Sequence, residues 1–324
     1  MENLRKNGKK IPKTVSTVSR SERLKRKYIT GKWVGNLASN IFAYVFIIGI
    51  SYVIMFPLII RISNAFKSVN DFFDSAVVFI PKNPTMQVIT NALKALDIGN
   101  IGLKSIALAA GIGLIQVAVC TLAGYGFARF NFFGSNVLFA CVIFVLIVPP
   151  QTIFIPLFLR FRFFDFFGII KAITGESPNF INTLWPQLIL AATGLGWKNG
   201  LYIYMMRQYF KGIPRVLEEA AYIDGAKTFK TFVKIMLPAA VPMMMTVFLF
   251  SFSWQWTDVF YTQMFARNFK TISTVVGTIS SSNEIMRSNT IQTAVLLLLI
   301  PLILLFIVTQ KFFIEGVERS GIVG

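Results

Sequence analysis

Histidine is absent from all 324 residues, and cysteine occurs only twice, at Cys120 and Cys141. Both cysteines fall inside apolar stretches and no CxxC occurs, which excludes the spacings of a zinc site or a disulfide framework. No cofactor is expected. The chain also lacks a phosphate-cradling GxxxxGK[ST] loop and a GxSxG nucleophile elbow, so it offers neither a nucleotide site nor a hydrolase site. It reads as a non-enzyme; any ATP it exploits is bound by another subunit. Charge is scarce too: 14% of residues are charged, 14 acidic against 32 basic. What is abundant is apolar surface, with 55% hydrophobic residues and a mean hydropathy of +0.64. That is beyond the usage of soluble domains and reads as an all-α polytopic membrane protein.

A membrane-crossing helix needs about 20 apolar residues. Uncharged stretches of that kind lie at 41–60, 105–127, 137–159, 239–257 and 291–310. A sixth span is expected between 182 and 210, where two apolar pieces flank Lys198 and Asn199. Gly194, Gly196 and Gly200 mark it as discontinuous, and irregular backbone at membrane depth is tolerated only against protein or a wet cavity.

Cationic residues near span ends set orientation. Eleven precede the first span; with six spans, the same side receives Arg129, Arg207, Lys211, Arg215, Lys227, Lys230, Lys234, Lys311 and Arg319, making 20 of the 32. Both termini are therefore expected in the cytoplasm. Much of the cationic excess behind the net charge of +18 sits in that first tail. Attraction to anionic lipid, about 1 kcal/mol per Lys or Arg near the surface, accounts for it without nucleic acid. The tail lacks a small-residue cleavage site after a short apolar core, so the first span is expected to be the insertion signal. The organisation is a basic cytoplasmic tail over 1–37, a transmembrane domain over 38–316 and a short cytoplasmic tail over 317–324.

Between spans, 61–104 is an external loop with turn chemistry at Ile80-Pro81-Lys82-Asn83-Pro84. The external loop 160–182 carries Phe161, Phe163, Phe164, Phe166 and Phe167, an apolar content that places it at the interface or against a partner. The short inner loop 128–134 predicts that the second and third spans are antiparallel neighbours. Small residues from Ala107 to Gly126 permit close helix approach.

The segment 212–238 is a polar interruption in an apolar chain. Ile213-Pro214 stops the preceding helix, and Leu217, Ala220, Ala221 and Asp224 then share one helical face at i, i+3, i+4 and i+7. Glu218 and Glu219 suit the positive end of a helix dipole. Gly225 permits a sharp change of direction, and a second helix from Thr228 to Met236 is expected to end at Leu237-Pro238. Two short helices at an angle, with little side-chain bulk across Ala-Ala-x-x-x-Gly, make a compact plug for a groove on another protein.

Glu219-Ala220-Ala221, Gly225 and Ile235-x-Leu237-Pro238 resemble the EAA loop of the permease subunits of bacterial ABC importers. Leu122-Ala123-Gly124-Tyr125-Gly126-Phe127-Ala128-Arg129-Phe130, Val148-Pro149-Pro150-Gln151, Ile155-Pro156-Leu157, Trp254-Gln255-Trp256-Thr257-Asp258 and Gln310-Lys311-Phe312-Phe313-x-x-Gly316 are similar to carbohydrate permeases of the maltose-permease type. The likeness covers 38–316. It implies a type I ABC importer permease fold with six spans in a bacterial cytoplasmic membrane. It further implies a second, homologous permease subunit, an ABC ATPase dimer and an extracytoplasmic binding protein delivering a sugar, an oligosaccharide in the first instance. Glu218, Glu219, Ala220, Ala221, Asp224, Gly225 and Ala226 would then dock the ATPase. The long basic tail and Lys198-Asn199 depart from the family pattern.

Candidates for the substrate pathway are Gln151, Lys198, Asn199, Trp254, Gln255, Thr257 and Asp258. Each has two open readings. Lys198 would cost about 2.5–3.5 kcal/mol at the bilayer centre, so it either snorkels to the interface or lines the cavity. Trp254 and Trp256 belong to an aromatic belt, or stack sugar rings while Gln255, Thr257 and Asp258 bond hydroxyls. Pro149-Pro150 kinks the third span, with Gln151 either shaping or contacting the pathway. A peptide or polyol permease is the alternative within the class. A secondary transporter would carry intramembrane acids or inverted repeats, and neither is visible.

Overall fold

The computed structural model describes residues 31–166, 168–281 and 283–321, with side chains from 36 to 314. The expectations for the basic tail before residue 31, for Phe167 and for the last three residues lie outside these. Residues up to Ile60 and residues from Arg61 onward are separate units, each described by itself. Among the described residues the chain is helical, without strands.

Helix α1 (Gly31–Ala65) already begins inside the segment expected to be tail. Its run from Gly35 to Ile60 carries no charge, so only a hydrocarbon-like surrounding suits it all round. In the second unit, α2 (Gln87–Leu96) leads through a π turn over Ile98–Gly102 into α3 (Leu103–Arg129). Then come α4 (Ser135–Ile147), α5 (Phe154–Arg162), α6 (Trp185–Ala192) and α7 (Asn199–Gly212). The polar segment forms α8 (Val216–Ile223) and α9 (Thr228–Ala239), followed by α10 (Val241–Trp256), α11 (Phe260–Phe265), α12 (Ile272–Val276) and α13 (Glu284–Gly321). Helix α13 thus carries helical structure past residue 316.

Three of these helices, α1, α3 with its π turn, and α13, are long and apolar enough to cross a membrane; the number is five if each bent pair is one span. The Pro149-Pro150 kink is a 102° bend between α4 and the Pro150–Arg162 segment, because two consecutive prolines remove two donors and hold the chain extended before the next turn. The expected break near 198 occupies 193–198, with Gly194 and Lys198 both left-handed at φ 74° and 68°. Gly200 falls in the first turn of α7 instead of in the break. The helix after Gly225 does not end at Leu237-Pro238 either. A π turn over Phe232–Met236 widens the backbone ahead of Pro238, easing the clash its ring makes with the carbonyl four residues earlier. The chain bends by 69° only on reaching α10.

The second and third spans are not simple neighbours. Helix α7 packs on both α3 and α4, while Phe127 and Phe139 touch near the α3–α4 connection. Helices α3 and α7 approach closely. A Cβ on Gly124 would lie 2.5 Å from Met206 Cβ and 2.9 Å from the Arg207 backbone nitrogen. Around it Cys120, Tyr202, Met206, Tyr209, Phe210, Met236 and Val247 form a buried cluster. Phe161 does not face an interface but packs inward on Phe265 at 5.2 Å, whereas Phe163 and Phe166 are exposed.

Outside the spans, Lys67 Nζ donates to the carbonyls of Val77 and Val78 at 3.0 Å each, closing the turn-rich loop. Burial pushes the Asp71 carboxyl up, but donors on Ser68 and Asn83 outweigh it and hold the group below the ordinary carboxylate range.

The Gly124 contact carries a prediction. Replacement by leucine forces α3 and α7 apart, at about 1–3 kcal/mol for overpacking, and lowers the midpoint of thermal unfolding in detergent. An unchanged midpoint would show that the crossing relaxes freely.

Candidate functional site: a two-faced helix and a polar cleft

The residues of α8 divide by face. Glu218 and Ala221, three apart, turn inward and are buried. Glu219, Ala220, Asp224 and Gly225 are exposed, and Ala226 is half-buried. Leu217 is exposed as well, so the face expected to carry Leu217, Ala220, Ala221 and Asp224 together is split. A helix of eight residues with apolar side chains on both sides has no periodicity that could settle which side turns in. The outward side presents Val216, Leu217, Tyr222 and Ile223, joined by Phe229 of α9; Ile223 is 86% exposed. Gly225 has φ 77° and open space around its missing side chain, so it is required by backbone conformation alone.

The inward side is held by charge. Glu218 accepts a hydrogen bond from the Tyr125 hydroxyl at 2.9 Å, and its second oxygen lies 2.8 Å from Arg129 Nε. Arg129 also donates to the carbonyl of Ile213 at 2.6 Å, just past the end of α7. The two charged side chains are 6% and 8% exposed, so the pair is shielded from water and from any partner. The Tyr125 ring meets Phe130, Phe210 and Phe232 with centroids 5.5, 5.3 and 4.6 Å away. The ends of α3 and α7 and the π turn of α9 therefore converge on one tyrosine.

Farther along α3, Gln116 donates to Asn199 Oδ1 at 2.6 Å and accepts from the Ser251 hydroxyl. Asn199 is wholly buried and donates to the carbonyl of Ala191 at 3.4 Å. Beside this cluster a cleft is lined by Gln116, Gln187, Trp197, Ser251, Trp254, Gln255, Asp258 and Tyr261, among others. Three atoms in its wall, Gln187 Oε1, Trp197 Nε1 and Gln255 Nε2, are buried without a hydrogen-bond partner among the described residues. One accepts and two donate, which is the complement of a hydroxyl-bearing guest. Lys198 stands at the rim with Nζ 4.7 Å from the Trp254 ring centre and 5.5 Å from that of Trp197, an arrangement of cation–π attraction.

Of the sequence candidates, Trp254, Gln255 and Asp258 line the cleft together, with Asn199 behind the wall and Lys198 at the edge. Asp258 is saturated by donors from the Tyr261 and Thr262 amides and the Thr262 hydroxyl. Thr257 is exposed, its hydroxyl turned back to the carbonyl of Ser253. Gln151 is exposed on the short turn after the prolines and does not line the cleft. The residues not anticipated are Gln116, Gln187, Trp197 and Ser251. Gln116 had a signal, being the single amide side chain in the apolar run of α3; the others carried none.

Comparison with known proteins follows the same direction. The model of the family described as "binding-protein-dependent transport system inner membrane component" matches residues 120–319. The alpha-glucoside transport system permease protein AglG of Rhizobium meliloti is 30% identical over 75% of this chain and 62% of its own length, so the match spans less than two thirds of that relative. The maltodextrin transport system permease protein MdxG of Bacillus subtilis is 25% identical over 89% of this chain and 98% of its own. A chain in the crystal structure of a bacterial ABC transporter involved in import of the acidic polysaccharide alginate shares the fold, with TM-score 0.64 at 18% identity over 91% of this chain and 98% of that one.

Gln116→Leu tests the polar cluster. It leaves the Asn199 and Ser251 groups unpaired at about 1–3 kcal/mol for each buried group, and the unfolding midpoint falls accordingly. Leu114→Ala on the exposed side of α3 is the control, and equal midpoints for the two would rule out a structural role for the amide.

Proposed function

Because this chain belongs to the family of binding-protein-dependent transport system inner membrane components, we propose that it is one permease subunit of an ATP-driven importer of sugars, oligosaccharides in particular. It forms half of a translocation pathway with a second, homologous permease. An ABC ATPase dimer binds on the cytoplasmic side, and an extracytoplasmic binding protein delivers the sugar. Six spans are the arrangement proposed, the fourth being α6 and α7 with their break. Both termini and α8 lie in the cytoplasm of a bacterial cell whose inner membrane holds the chain, as the cationic bias argues.

The observation that carries this reading is α8. One of its faces is bound to its own chain through Glu218, and the other offers uncovered apolar side chains, the form of a helix that enters a partner's groove. Glu219, Ala220, Asp224 and Gly225 lie on the free side and are the proposed contacts of the ATPase, with Glu218, Ala221 and Ala226 supporting them. Names of relatives such as the alpha-glucoside and maltodextrin permeases support a carbohydrate cargo. So does the cleft, where exposed Trp254 offers a ring face and unpaired amides offer hydroxyl partners.

Ile223→Glu and Gly225→Val test the docking. Both variants insert normally, since one changes an exposed side chain and the other strains only a turn between spans, but co-purification of the ATPase falls by about tenfold or more, the equivalent of 1.4 kcal/mol. Undiminished co-purification of both would remove the docking assignment. For the cleft, Trp254→Leu and Lys198→Met are to be compared with the unmodified protein in uptake of a panel of labelled sugars at equal protein level. Slower or redirected uptake is expected; full, unaltered uptake in both would leave Trp254 as an interfacial aromatic and Lys198 as a snorkelling side chain.

A further inference from the structure

We infer that Glu218 is a positioning residue that grips α3, so that a displacement of α8 is delivered along α3 to the polar cluster at Gln116. The inference rests on the function proposed above, and it assigns a role to a residue that cannot itself touch a partner.

Three observations carry it. First, Glu218 is the inward anchor of α8, and both of its oxygens are engaged by residues of α3: the Tyr125 hydroxyl at 2.9 Å and Arg129 Nε at 2.8 Å. Removing one member of such a buried pair leaves an uncompensated charge, so the helices it joins move together or the pair breaks. Second, α3 is unbroken from Leu103 to Arg129 and contains no proline. Tyr125 and Arg129 stand nine and thirteen residues from Gln116, about 14–20 Å along a rigid rod. Third, Gln116 is not an inert part of that rod. It holds Asn199, the first residue of α7 after the break, which lies behind the wall of the cleft, and Ser251 of α10, which lines it. One helix therefore grips the docking element at one end and the two broken or bent spans at the other. Arg129 adds a branch, since its bond to the Ile213 carbonyl ties the far end of α7 to the same point.

Packing alone would not need this chemistry. Buried ion pairs add little net stability compared with apolar residues of similar size, whereas a carboxylate hydrogen-bonded by Tyr125 and ion-paired with Arg129, both on one helix, fixes the direction in which α8 can pull.

Cys120 supplies the readout. It is fully buried on α3, one turn from Gln116, with its sulfur 3.8 Å from the Asn199 carbonyl. The whole transporter, with its partner permease and ATPase in lipid nanodiscs, is treated with a small maleimide in the absence of nucleotide and with ATP plus vanadate, and Cys120 labelling is read by peptide mass spectrometry in a Cys141→Ser background. Unmodified protein is expected to show a several-fold nucleotide-dependent change in labelling rate. In Glu218→Gln the ATPase still co-purifies but the nucleotide-dependent change disappears, and it returns in the charge-swapped Glu218→Arg, Arg129→Glu pair. If Glu218→Gln fails to assemble, Tyr125→Phe, which loses one hydrogen bond only, decides by a partial loss of the same change. Labelling in the assembled variants that tracks the unmodified protein overturns the inference, as does labelling in the unmodified complex that ignores nucleotide. Failure of any ATPase to assemble with the unmodified chain would instead overturn the proposed function, so the two failures are distinct.

Discussion

Helices α3 and α7 can lie against each other because Gly124 has no side chain where Met206 and Arg207 pass. Lipid tails are as apolar as leucine, so nothing analogous to the hydrophobic effect draws helices together in a bilayer; close contact and internal hydrogen bonds must do it. The crossing at Gly124 supplies the contact, and Tyr202, Met206, Tyr209 and Phe210 of α7 are almost wholly buried as a result. It also sets the spacing at which everything else on α3 operates. Toward one end Gln116 reaches Asn199 across the same interface; toward the other Arg129 reaches the carbonyl at the end of α7. An extra methyl at position 124 would misalign both.

The second constraint is that a polar group in hydrocarbon must find its partner within the protein. At the α3–α8 junction the Tyr125 hydroxyl bonds Glu218, Arg129 bonds the Ile213 carbonyl and faces Glu218 as an ion pair, and Phe130, Phe210 and Phe232 surround the Tyr125 ring. At the cleft more groups are left over. Asp258 is fully engaged, yet the amides of Gln187 and Gln255 and the indole of Trp197 keep atoms without partners among the described residues. Unpaired polar groups in a wall between bent helices are what the proposed hydroxyl-bearing guest would meet.

The 102° bend after α4, the gap between α6 and α7 and the 69° turn into α10 each free backbone groups that must be met by neighbours. Irregular backbone is tolerated at such depth only against protein or a wet cavity. The break between α6 and α7 sits against the cleft, and there the left-handed Lys198 lays its ammonium over Trp254. Lys198 thus turns its ammonium toward the ring faces of Trp254 and Trp197.

The amino-acid order by itself determined the elements and their class. Uncharged runs predicted the long helices α1, α3 and α13, consecutive prolines predicted the interruption after α4, and Gly194 with Gly196 predicted the break before α7. The spacing Glu219-Ala220-Ala221 to Gly225 pointed to the family. These were readable because each depends on local chemistry: hydropathy over one span, a missing donor, a permitted backbone angle. Tertiary structure decided what local chemistry cannot. Two apolar sides on α8 left open which one turns in, and only the positions of Tyr125 and Arg129 made Glu218 an anchor and Ile223 a surface residue. Asn199 and Ser251 lie 83 and 135 positions along the chain from Gln116, and no periodicity joins residues at such distances. Their meeting is a property of how closely α3, α7 and α10 can approach, which the absence of a side chain at Gly124 permits.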